Sequence, residues 1–159
     1  MNKCLAAGWL VFIFISALTE SFHDMIVTKT MAFRFTPHPD ASGFFVFDMA
    51  ELTVPEAAIQ KLGHAFSFFV LTCLFFRERR RMKRAVLYAL AAAFLSEIVQ
   101  LFFGRNGCLR DVLIDSLGIA VFCVLQRKKV RMLHFYEAIR STPLLQLPQV
   151  IILVSLILL

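Results

Sequence analysis

Charge is scarce in this chain. Only 18% of its 159 residues are Asp, Glu, Lys or Arg, while 59% are hydrophobic, and the mean hydropathy is +0.74. An ordinary soluble domain carries about 25% charged residues, so that class is excluded. A small, apolar soluble bundle fails on distribution. The few charges are gathered into blocks, and the apolar runs between them would have nothing outside to bury them in a chain this small. Cysteine is sparse too. Cys4, Cys73, Cys108 and Cys123 show no ligand spacing, which argues against a disulfide framework or a cysteine metal site. They read as small buried or interfacial hydrophobes. Phosphate loops, dinucleotide fingerprints, H-E-x-x-H, nucleophile elbows and C-x-x-C pairs are all missing. No cofactor and no metal are therefore expected. The net charge of +6 does not point to nucleic acid, because the excess lies in two runs beside apolar segments. That is the positive-inside pattern of a membrane protein.

What is present is a series of apolar spans. Residues 1–22 open with Lys3 and run CLAAGWLVFIFISAL. This resembles a signal peptide, but Ser16-Ala17-Leu18-Thr19 is a poor cleavage region, and a retained first helix is the simpler reading. A polar connection follows, an external loop over residues 23–52. Over residues 21–60 five acids (Asp24, Asp40, Asp48, Glu51, Glu56) face two bases (Lys29, Arg34). Phe33, Phe35, Phe44, Phe45 and Phe47 are too many aromatics for a free loop, and should lie along the bilayer interface or cap the helices. Thr53-Val54-Pro55-Glu56 has capping-box spacing, with Thr53 expected as N-cap. The second helix should then run to about Phe76, roughly 35 Å.

Residues 77–84, RERRRMKR, hold six bases and one acid. Short loops are where the charge rule is strongest, so this one is placed in the cytoplasm. The N-terminus is then cytoplasmic and the acidic loop outside. A third helix, Ala85 to about Phe103, returns outward. Residues 104–110 turn, and a fourth helix starting near Leu109 or Asp111 runs inward to Gln126. It ends at a second basic block, Arg127-Lys128-Lys129-Val130-Arg131. Residues 130–142 read as an interfacial segment. Residues 143–159 are uncharged and apolar throughout their second half; the sixteen residues from Leu144, with Pro148 among them, fall just short of the usual span length, and a fifth span ending outside is expected ahead of a half-buried tail. The expected architecture is all-α: a polytopic transmembrane helical bundle of the inner (plasma) membrane. It comprises a four-helix core over residues 1–126 and a basic cytoplasmic segment with an apolar tail over 127–159.

On this topology Lys61, His64, Glu97, Gln100, Arg105 and Asp111 fall at the external end, and Asp115 lies one turn deeper. Polar groups in hydrocarbon are expensive and mark sites by default. Two readings stay open. The groups fasten the helix ends, with Lys61 and Arg105 neutralising two of Glu97, Asp111 and Asp115. Alternatively they form a pocket at the outer headgroup level. There Arg105 and Lys61 hold a phosphate or carboxylate, and His64 with Glu97 or Asp111 makes an acid/base pair. Expected partners are membrane lipid, with an anionic lipid or peptidoglycan-precursor headgroup in the pocket.

The same residues carry a resemblance. Lys61-x-x-His64, then Glu97-x-x-Gln100, then Arg105 and Gly107 before a helix holding Asp111 and Gly118, resemble the VanZ-like family of small bacterial membrane proteins. That family's founding context is low-level resistance to the glycopeptide teicoplanin. The likeness covers about residues 61–125. Phe68 stands where that pattern has tyrosine, and Asp115 where it has asparagine. The resemblance implies a cell-envelope role, in how antibiotic or wall precursor is handled at the outer face. A membrane enzyme acting on a lipid-linked phosphate, with His64, Glu97 and Asp111 as its candidate catalytic groups, and a structural or partner-binding protein are the alternatives.

Overall fold

A computed structural model describes residues 2–19, 28–29, 33–39, 41–46, 54–105 and 107–141. The described residues form four helices and no strand: α1 (Asn2–Leu18), α2 (Pro55–Arg79), α3 (Met82–Leu101) and α4 (Leu109–Ser141). The chain divides into two compact units, Met1–Phe122 and Cys123–Leu159, and the division falls inside α4. The tail over residues 143–159, with its expected fifth span, lies outside the described residues, as do Thr53 and Phe47.

Helix α2 begins one residue later than its capping box implied. Val54, in extended conformation, is the N-cap, and it makes no side-chain cap bond. Pro55 in the first turn sets the start instead, since its missing N–H has no helical partner there. The helix also outruns its expected end. It stops at Arg79 because Arg80 turns left-handed (φ 54°) and gives its N–H to the carbonyl of Phe76 at 2.8 Å. Two residues later α3 starts back. The basic run is thus mostly helix end and helix start, with a minimal connection between.

Two helical stretches are long and apolar enough to cross a membrane, Ala57–Glu78 and Met82–Leu101. A core helix of a soluble protein would be mostly buried, yet only 17% and 39% of these are. Leu62, Phe66, Leu87 and Leu95 all face outward. An apolar surface of this kind is stable against hydrocarbon and unfavourable in water. The apolar part of α1, Cys4–Leu18, is shorter. The start of α4 carries Arg110, Asp111 and Asp115 within a few residues, which lowers its hydropathy.

Helix α2 packs on both α1 and α3, and α1 touches α3. Their shared core is Ile13, Phe68, Leu71, Ala89, Ala92 and Ala93, joined by Val112 and Ile119 of α4. Alanines at three positions of α3 let neighbouring backbones come close, which is how helices gain contact where lipid competes for apolar surface. Trp9 of α1 donates its indole N–H to the Ser67 carbonyl of α2 at 2.9 Å. Helix α4 does not end at the basic block near Gln126. It continues to Ser141, because lysine and arginine are good helix formers and their charge does not interrupt a helix.

The aromatic loop caps one end of the helices. The N–H of Leu109, an orphan donor of the first turn of α4, binds the carbonyl of Phe44 at 2.9 Å, and Thr36 N–H binds the carbonyl of Phe102 at 2.7 Å. Phe44 is buried and meets Phe94 edge-on. Phe35 meets Phe103 edge-on but stays exposed, as do Phe33 and Phe45. Capping therefore falls to Phe44, and the other described loop aromatics face outward.

Candidate functional site

The site grows from the turn between α3 and α4. Gly104 adopts φ +69°, a left-handed conformation that suits glycine. Gly107 lies flat on the end of α3. A side chain there would strike the carbonyl of Glu97, with its carbonyl carbon at 3.0 Å. This close approach lets the next amide, Cys108 N–H, reach the Glu97 carboxylate at 3.1 Å (Oε2). The other oxygen, Oε1, accepts from Gln100 Nε2 at 2.6 Å, one turn along the same face. An acid near a helix C-terminus opposes the helix dipole. The two donated hydrogen bonds offset that cost for a side chain that is 1% exposed.

Helix α4 then starts with Asp111 in its first turn, where a carboxylate suits the dipole. Lys61 of α2 forms an ion pair with Asp111 Oδ2, and Arg110 Nε donates to Oδ1 at 3.3 Å. One turn deeper Asp115 is fully buried, and neither of its carboxylate oxygens has a hydrogen-bond partner among the described residues. Its Oδ1 lies 3.8 Å from Nδ1 of His64. Gly118, a turn further, permits this closeness. A Cβ there would strike the carbonyl of Ala65, the residue after His64, with the carbonyl carbon at 2.7 Å.

Arg105 is tied elsewhere. Its guanidinium donates to the carbonyl of Thr19 at 2.9 Å, fastening the turn to the end of α1. Lys61, His64, Glu97, Gln100, Asp111 and Asp115 are thus joined by contacts between α2, α3 and α4, and Arg105 adds α1. The acid facing His64 most directly is Asp115, where the sequence pointed to Glu97 or Asp111. Asp111 instead serves Lys61. His64, Glu97 and Asp115 each offer one donor atom, and the three atoms lie within 4.8 Å of one another. This is a set that can hold a metal ion, although the spacing of the three residues along the chain gave no sign of it.

Sequence reasoning passed over Thr19, Cys108 and Arg110. Thr19 and Cys108 act through backbone groups, which no residue type announces. Arg110 was visible as a charge beside Asp111 at a helix start. In the turn, outside the helices, burial pushes the Cys108 thiol above its usual pKa.

With this geometry in hand, comparison places the chain. The VanZ/LLP1 family profile matches residues 4–131, and the chain belongs to that family of membrane proteins. It is 54% identical over 140 residues to YwnJ of Bacillus subtilis (strain 168), described as an uncharacterized membrane protein. That alignment covers 86% of this chain and 100% of the relative. No solved structure matches.

Proposed function

We propose that this chain is a multi-pass protein of the plasma membrane whose polar end faces the outer leaflet and binds an anionic headgroup. The headgroup belongs to a phospholipid or a wall-precursor lipid. The N-terminus is cytoplasmic, residues 1–126 form the four-helix core, and residues 127–159 add a basic cytoplasmic segment and an apolar C-terminal tail.

One observation carries the reading. Lys61, Arg105 and Arg110 gather about the end of α2 and α3 opposite the basic connection at residues 77–84. The positive-inside rule places that connection in the cytoplasm, and with it the polar end outside. Arg105 and Lys61 hold the anion, and Asp111 and Glu97 orient the site. Gln100, already donating to Glu97, has a second amide hydrogen for the ligand. A role in envelope handling of antibiotic or precursor follows from this binding.

The test is binding of a lipid phosphate to purified protein. R105A and K61A should each weaken it at least about tenfold, the order expected of a lost charge-assisted contact. Unchanged binding in both contradicts the reading. A second reading, an enzyme acting on a lipid-linked phosphate, draws on the His64–Asp115 approach at 3.8 Å. It requires phosphate release with a bell-shaped pH profile that His64→Ala abolishes.

A further inference from the structure

We infer that His64, Glu97 and Asp115 form a binding site for a divalent transition-metal ion, zinc by the chemistry of the donors. Three helices each supply one ligand: His64 from α2, Glu97 from α3 and Asp115 from α4. The donor atoms lie within 4.8 Å of one another. A metal bonded at ~2.1 Å to three tetrahedrally arranged donors holds them ~3.4 Å apart. His64 Nδ1 and Asp115 Oδ1 are already at 3.8 Å, so modest side-chain rotation completes the set.

The second, independent observation is Asp115 itself. It is 0% exposed, and among the described residues neither of its oxygens has a hydrogen-bond partner. A buried carboxylate without donors is costly, and a cation bonded to it supplies what the protein does not. Glu97 is arranged as metal-binding carboxylates are, with Gln100 and Cys108 N–H fixing its orientation. Each of its oxygens keeps a second lone pair for the ion. Charge also closes. Two carboxylates and a neutral imidazole carry −2, which a divalent ion cancels inside a poorly screened site. Mixed imidazole and carboxylate donors suit zinc and manganese better than magnesium or calcium. Three protein ligands leave a coordination position open for an oxygen ligand. Lys61, Arg105 and Arg110, the nearby cations, have acceptors of their own in Asp111 and the Thr19 carbonyl.

The site does not depend on headgroup binding. If both hold, the open position is where a headgroup oxygen adds, and that clause alone rests on the proposed function.

The experiment uses the full chain, purified in detergent with a tag lacking histidine, stripped with chelator and titrated with Zn²⁺ and with Co²⁺ as a visible-absorption probe. We expect about one equivalent per chain, with tetrahedral or five-coordinate Co²⁺ bands. Asp115→Asn and His64→Ala should each abolish stoichiometric uptake, and Gln100→Ala should weaken it on the order of 10-fold to 100-fold. Helix content and monodispersity of each variant are measured alongside. Wild-type uptake decides the matter should every variant misfold. Absence of uptake by stripped wild-type protein overturns the site, as does full uptake by folded Asp115→Asn. Manganese bound in preference to zinc changes the metal and keeps the site. Lipid-phosphate binding by wild-type protein that takes up no metal would leave the headgroup reading standing while the metal site fell. Metal uptake without lipid binding would do the reverse.

Discussion

Gly118 of α4 lies against the backbone carbonyl of Ala65 of α2, with no room between them for a side chain. The contact sets the separation of the two helices. One residue before Ala65 is His64, and one turn before Gly118 is Asp115, so the same close approach brings imidazole and carboxylate to 3.8 Å. A methyl group at Gly118 must move one helix or the other. Overpacking of this kind costs ~1–3 kcal/mol. Gly118→Ala should unfold more readily in a detergent denaturation series and should also lose ligand affinity. Wild-type stability and affinity in Gly118→Ala would show that the helices are not held by this contact.

Glu97 accepts one hydrogen bond from a side chain and one from the backbone of the following turn. Glutamine has one acceptor atom where glutamate has two, and its amide nitrogen must oppose one of those donors. Glu97→Gln should therefore destabilise the α3–α4 turn by ~1–3 kcal/mol, the cost of leaving a buried donor unmet. Hydrogen exchange at the Cys108 amide, made faster in the variant, is the direct readout.

Phe44 is the loop residue that seals the site end, through its ring against Phe94 and its carbonyl on Leu109 N–H. Truncating a buried phenylalanine costs ~3–5 kcal/mol in a core, and a capping loop should fall at the lower end. Phe44→Ala is expected to lower thermal stability. It should also open the loop to limited proteolysis near residue 40. Phe45→Ala, at an exposed position, should do neither.

Cys108 offers a pH test outside the helices. Burial of the thiol raises its pKa, so it is a poorer nucleophile at neutral pH than an open cysteine at about 8.5. Its alkylation rate should still be climbing at pH 9, where that of a free thiol is levelling off. Cys4, which is exposed, should react first throughout. A plateau for Cys108 near pH 8.5 in folded protein would place it in open solvent.

Much of this was legible in the residues. The apolar runs and two basic blocks located the helices to within a few positions, except at the far end of α4. The Lys61–Asp111 pair was foreseeable, since both carry charge at one end of adjoining spans. What stayed hidden depended on the backbone. The Glu97 contact needs the Cys108 amide and the flatness of Gly107, and Arg105 binds a carbonyl at Thr19. Neither leaves a pattern in side-chain chemistry. The His64, Glu97 and Asp115 convergence comes from three helices whose rotation about their axes follows from small-residue contacts such as Ala65–Gly118. Hydropathy cannot give that rotation. The extension of α4 to Ser141 was missed because a basic block marks a membrane boundary, which need not be a helix end.

The proposed function requires that the polar end of α2, α3 and α4 face the outside of the cell. The most direct test places single cysteines in a cysteine-free background at Asp40, Arg81, Asn106 and Lys129. They are probed with a membrane-impermeant thiol reagent on intact cells. Position 106 serves for the turn because a side chain at the neighbouring Gly107 would collide with the Glu97 carbonyl. An external polar end predicts labelling at positions 40 and 106 and protection at 81 and 129 until the membrane is permeabilised. Labelling at 81 with protection at 106 would put the site in the cytoplasm and contradict it.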